Sequence, residues 1–225
     1  MLTDDRLVTC FHEAGHAVTM IASGQRFEYI TMRPRTLGSA AHVMVSDPLN
    51  ALYTGQWLAH GAVAAAGILA ADFYLMNAEN YEPDTVRRTL TRDDGRDDLK
   101  ELRAASWYAY ACCYENPAWS ATPVSERWGP VEFAVAAWEH AVSILTGYGD
   151  AVVTVADELY DSARKVPYRV VREIVDGSWV EETVVAGVPE EFLEPWFLKY
   201  SRLRWVPSEK HLAQLEQRDV QSIAV

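Results

Sequence analysis

Two histidines and a glutamate near the start of the chain have the types and spacing for metal-assisted hydrolysis. His12-Glu13-Ala14-Gly15-His16 reads H-E-x-x-H. On a helix, residues four apart project from one face a turn apart, so both imidazoles can meet one ion at about 2.0–2.1 Å. Glu13 sits beside that face, within reach of a water on the ion but not itself a ligand. Zinc lowers the pKa of such a water towards about 7. Glu13 is then placed to take its proton as it attacks a peptide carbonyl, and to return the proton to the leaving amine. A structural reading, two surface histidines with a solvated glutamate between them, competes with this one.

Two ligands leave a zinc site one protein ligand short. The extended form H-E-x-x-H-x-x-G-x-x-H fails, because Thr19 stands for its glycine and Ala22 for its last histidine. His42 and His60 are free candidates, although a lone histidine in a strand or apolar helix is more often structural. Asp97 and Asp98 come together at a predicted helix start, where capping and the helix dipole also favour aspartate. Spacing alone leaves ligand and cap evenly matched.

These residues need a scaffold. Thr3 is a good N-cap, with Asp4 and Asp5 in the first turn after it. Leu7, Phe11, Ala14, Val18 and Ile21 then recur at helical spacing as a core-facing stripe, and Gly24 suits the C′ position. Residues 28–32 and 40–45 read as short strands around a Pro- and Gly-containing loop. Further helices are expected over 51–77, with room for a break near Gly61 or Gly67, and over 97–114, 131–146, 150–165 and 167–175. Asp93-Asp94-Gly95 is read as loop, and the tail offers two Val-rich strands near 179–185. The fold class is therefore mainly α with a small β-sheet. A peptidase domain spans 1–176, and 177–225 is an extension of unknown role.

The chain has 225 residues, 49% hydrophobic and 23% charged, with a formal charge of −12. That is enough to bury a core, and the negative balance argues against nucleic acid as a partner. Cys10, Cys112 and Cys113 form neither a disulfide framework nor a thiolate metal site, which fits a reducing compartment. Residues 49–71 lack formal charge over the length of a membrane span. Asn50, Thr54, Gln56 and His60 interrupt them, so a buried helix is expected rather than a span. With no basic leader at the start, a cytoplasmic location is expected.

Four blocks, in order, resemble the protease domain of the FtsH family, the ATP-dependent zinc metalloproteases. Phe11-His12-Glu13-Ala14-Gly15-His16-Ala17-Val18 is similar to that family's zinc helix. Tyr29-Ile30-Thr31-Met32-Arg33-Pro34-Arg35 with Leu37-Gly38 resembles the strand and turn after it. Gly67-Ile68-Leu69-Ala70-Ala71-Asp72 resembles its Gly-Gly-Arg-Ala-Ala-Glu helix, and Asp97-Asp98-Leu99-Lys100 its Asn-Asp-Leu block. The resemblance covers about residues 3–175 and thins after the first block. It implies a zincin-like fold and Asp98 as third zinc ligand, with Asp72 and Asp97 as supporting residues. It also implies endopeptidase activity on unfolded or extended protein, and assembly as a homo-oligomer, since family members are hexamers. Leu69 replaces the family's Arg and Asp72 its Glu, which puts in doubt the support that helix normally gives. No G-x-x-x-x-G-K-[ST] loop and no membrane anchor are found, so a peptidase part working with a separate ATPase is expected. The alternative is a catalytically weak or inactive zinc-binding adaptor that docks on a separate ATPase or protease; Trp179, Trp196 and Trp205 could anchor it, although ordinary core or tail packing is the favoured reading of those three. An intact Glu13 speaks against a pure binder.

Overall fold

The computed structural model describes residues 5–32, 42–44, 54–77, 93–114, 116–162 and 165–178. The Thr3 cap, the turn at 33–38 and the extension 179–225, with its expected strands and three tryptophans, lie outside the described residues. The first helix, α1 (Asp5–Ala22), buries Cys10, Phe11, Ala14, Ala17 and Val18, the face its apolar spacing dictates. It ends at Gly24, whose φ of 71° is left-handed. Gln25 N–H donates to Met20 O at 2.8 Å and Gly24 N–H to Ile21 O at 2.9 Å, satisfying two terminal carbonyls.

Strands β1 (Tyr29–Thr31) and β2 (His42–Met44) pair antiparallel, with Ile30 opposite Val43. A third strand, β3 (Val166–Pro167), pairs antiparallel with the other side of β1, giving the order β2-β1-β3. The central helix α2 (Thr54–Asn77) packs against α1, against α3 (Asp93–Tyr114) and against α5 (Pro130–Gly147). Between α3 and α5 lie the short helix α4 (Pro117–Ala121), capped by Asn116, and a 3-10 turn. Helices α6 (Gly149–Ser162) and α7 (Tyr168–Gly177) complete the described chain.

Two apolar clusters share α2 as their wall. One joins α1, β1, α6 and α7 through Phe11, Val18, Ile30, Leu159 and Val171; the other joins α2, α3 and α5 through Leu58, Leu102 and Phe133. Each fully buried large side chain contributes about 1.5–3 kcal/mol. Tryptophans 107 and 119 are buried, while 128 and 138 are partly buried and pack against the second cluster, as expected of core residues. The stretch Thr54–Leu75 is long and apolar enough to cross a membrane, but 67% of its most apolar window is buried inside the fold. Three packed neighbours explain why this helix is apolar all round.

Two expectations fail. Asp93-Asp94-Gly95 is helix, not loop, so α3 begins four residues before the expected start at Asp97. Gly95 is buried in that first turn, and packing there overrides its low helix propensity of about 1 kcal/mol. Strand β3 was not anticipated, because two residues before a helix carry no alternation to read.

Candidate metal centre

Helix α1 presents His12 and His16 from adjacent turns, their rings edge to face with centroids 4.6 Å apart. The two Nε2 atoms are 3.0 Å apart. From α3, Asp98 brings Oδ2 to 3.1 Å from His12 Nε2 and 3.4 Å from His16 Nε2. Tetrahedral ligands at about 2.0–2.2 Å stand about 3.3–3.6 Å apart, so this triangle has nearly the size of one face of a zinc tetrahedron. Asp98 Oδ2 is buried and faces both ring nitrogens at once. One oxygen shared between two imidazoles in this way is placed where a third metal ligand would be. The side chains are 13–14% exposed, so the centre is largely but not wholly covered.

The electrostatics favour a cation here. Burial alone would lower the pKa of His16, but the charge and contact of Asp98, then Glu13, then the Val63 carbonyl raise it to about 9. Burial would likewise raise Asp98; the facing His16 charge and both imidazoles instead hold its carboxyl well below the usual range. Without an ion, a proton supplies the positive charge that these groups surround.

Helix α2 sets the geometry from behind. His16 Nδ1–H donates to Val63 O at 2.7 Å, which turns Nε2 towards Asp98 and His12 and frees its lone pair for an ion once its proton is lost. A Cβ at Gly67 would lie 2.3 Å from His16 Nε2 and 2.9 Å from His12 Cε1. Gly67 is thus the clearance that lets α2 pass beneath the ligands. At Gly15 a Cβ would come 2.5 Å from Ala66 O and 2.6 Å from Ala70 Cβ, so α1 and α2 approach there almost backbone to backbone.

Glu13 is 5% exposed, close enough for its charge to act on His16. Asp97 does not join the centre: its side chain is 74% exposed and pairs with Lys100 at 2.8 Å. Consecutive helical residues point about 100° apart, so only one of the two aspartates can face α1. Asp72 is the other candidate for a supporting role. It lies five residues past Gly67, roughly 140° round the helix, and its buried Oδ1 has no hydrogen bond; burial raises its pKa. His42 lies in β2, opposite Thr31. His60 belongs to a different pair, its Nε2 lying 3.0 Å from Glu101 Oε1. Glu101, Val63 and the clearance at Gly67 were missed by sequence reasoning. The i, i+3 spacing of Asp98 and Glu101 could have suggested Glu101; the other two depend on how α1 lies against α2.

No protein-family model matches the chain, and no curated protein matches it closely enough to assign a relationship.

Proposed function

We propose that the chain is a zinc-dependent endopeptidase domain of zincin-like, FtsH-like type, acting on unfolded or extended polypeptide. The observation that carries this reading is the 3.0, 3.1 and 3.4 Å triangle of His12, His16 and Asp98 beside a buried Glu13. His12, His16 and Asp98 would hold the ion, and their chemistry of two imidazoles and a carboxylate suits zinc. When bound, zinc supplies a Lewis acid that polarises the scissile carbonyl and acidifies water. Glu13 accepts the proton of the attacking water and delivers it to the leaving amine. Val63 holds His16 in the tautomer that offers Nε2, and Asp98 offsets the charge of the ion. Strand β2 lies at the edge of the described sheet, where an extended substrate can add as a further strand. A proline in β2 should weaken cleavage far more than zinc binding; equal loss of both would sink that part.

Zinc content and cleavage of an unfolded protein, measured together for the wild type and Glu13→Gln, test the whole reading. One zinc in both proteins, with cleavage by the wild type alone, is the expected result. No zinc in either would overturn it. One zinc with no cleavage by either would favour the adaptor reading, or a peptidase that needs its ATPase.

A further inference from the structure

Helices α2 and α3 run antiparallel, and their facing residues form rungs. Thr54 Oγ1–H donates to Ala109 O at 3.3 Å at one end. At the other, Gly67 and Asp98 both meet the histidines of α1. One side of this seam carries two rungs that the proposed metal chemistry does not use, although Trp57 also packs against the second apolar cluster. His60 and Glu101 form the nearer one, with His60 21% and Glu101 55% exposed. Glu101 is close enough to the centre to feel the charges of His16 and Asp98. Beyond it, Trp57 and Tyr108 stack at 4.3 Å with planes 15° apart, and Trp57 also meets the His60 ring edge-on at 5.9 Å. Both aromatics are half-buried, so each keeps a solvent-facing surface.

We propose that this row binds an extended peptide on one side of the bond held at the metal centre, with Trp57 and Tyr108 taking an aromatic or large apolar side chain. The proposal rests on the peptidase reading and adds a specificity to it. Three observations support a peptide as occupant. The row is continuous with the metal centre; it alternates a polar rung, suited to main-chain groups, with an apolar one; and its length matches several residues. From Gly67 to Trp57 is ten helical residues, about 15 Å. At about 3.3–3.6 Å per residue that is about four residues of extended chain. An aromatic there stacks on a preformed platform and gains without ordering flexible groups.

The test uses the zinc-loaded protein and ten-residue peptides that differ only in where one Phe replaces Ala on either side of the cleaved bond. A peak in kcat/KM of about tenfold is expected with Phe about four residues to one side. It should vanish in Trp57→Leu and in Tyr108→Ala, each still holding one zinc; the second serves if the first does not fold. Equal rates at all positions, or a preference that survives in the folded variants, would overturn the proposal. The same peptides, fluorescently labelled, are titrated against zinc-loaded Glu13→Gln with anisotropy as the readout. Here a tenfold tighter Kd for the favoured Phe position, lost with Trp57→Leu, is expected; affinities independent of Phe position would overturn the subsite. This arm separates the two ideas, because cleavage by neither protein would count against the peptidase reading while Phe-dependent binding still upheld the row.

Discussion

At the scale of single residues, the clearance at Gly67 makes the sharpest demand. Gly67→Ala adds a methyl 2.3 Å from His16 Nε2, and the ring must move off its hydrogen bond to Val63. Overpacking of this kind costs about 1–3 kcal/mol, while the helix itself gains up to about 1 kcal/mol from alanine. Zinc affinity, read by competition with a chelator, should therefore fall at least about tenfold with helical circular dichroism unchanged. Unchanged affinity would mean that the ligands do not meet where the structure puts them.

Protons and the proposed zinc would compete for the same nitrogens. His16, raised to about 9, is protonated at neutral pH in the metal-free protein, so zinc must displace that proton. Calorimetry at pH 7 in buffers of different ionisation heat should show release of about one proton per zinc, and affinity should rise with pH up to about 9. Stability of the metal-free fold runs the other way. A raised histidine contributes fully below its ordinary value of 6.5 and loses that contribution as pH climbs through about 9. The depressed Asp98 contributes above its ordinary value of 3.8 and loses it as pH falls through its lower folded value. Metal-free protein should thus melt at lower temperature at pH 10 than at pH 6, as far as this pair controls it.

At the scale of elements, α1 combines the two candidate ligands with a tight fit to α2. Gly15→Ala would push its new Cβ against the Ala66 carbonyl and Ala70. A loss of about 1–3 kcal/mol in urea unfolding is expected, with zinc binding weakened as a consequence of the displaced helix. Gly24→Ala gives the contrast. Its Cβ would meet nothing within 4 Å, so only the left-handed backbone matters, at about 1–2 kcal/mol. Stability should fall while zinc affinity holds. Helix α1 was legible in the sequence because its apolar stripe, its closing glycine and its two histidines all follow one 3.6-residue period. The start of α3 was not, because Asp-Asp-Gly is strong turn chemistry that only tertiary packing overrules. That misplaced start did not hide Asp98 as a candidate third ligand. Which of Asp97 and Asp98 faces inward depends on the rotational setting of α3 against α1, a quantity that adjacent sequence positions do not carry.

At the scale of the whole molecule, the legible part is what local periodicity records, and the illegible part is what distant segments do to one another. The helical class, the buried nature of α2 and the His-Glu-His constellation fall in the first group. The pairing of β3 with β1, the Val63 carbonyl behind His16 and the aromatic rung at Trp57 and Tyr108 fall in the second. Each joins residues from separate elements. His140 belongs there too: burial lowers its pKa, and its Nδ1 has no hydrogen-bond partner. Protonating it on acidification should destabilise the fold as pH drops below about 6.5, the value of an unperturbed histidine. His140→Leu should flatten that part of the profile of melting temperature against pH.

Helices α1 and α3 each pack on α2, and among the described residues no extensive packing joins them to each other. His16 and Asp98 are roughly eighty residues apart in the chain, so an ion gripping both would close a long loop, as a disulfide does. By loop-closure entropy alone such a link is worth about 4–5 kcal/mol against the unfolded chain. The group that performs the chemistry would then also be a fastener. A chelator should therefore lower the melting temperature of the whole fold, and an unchanged melting temperature would mean that no ion links the two helices.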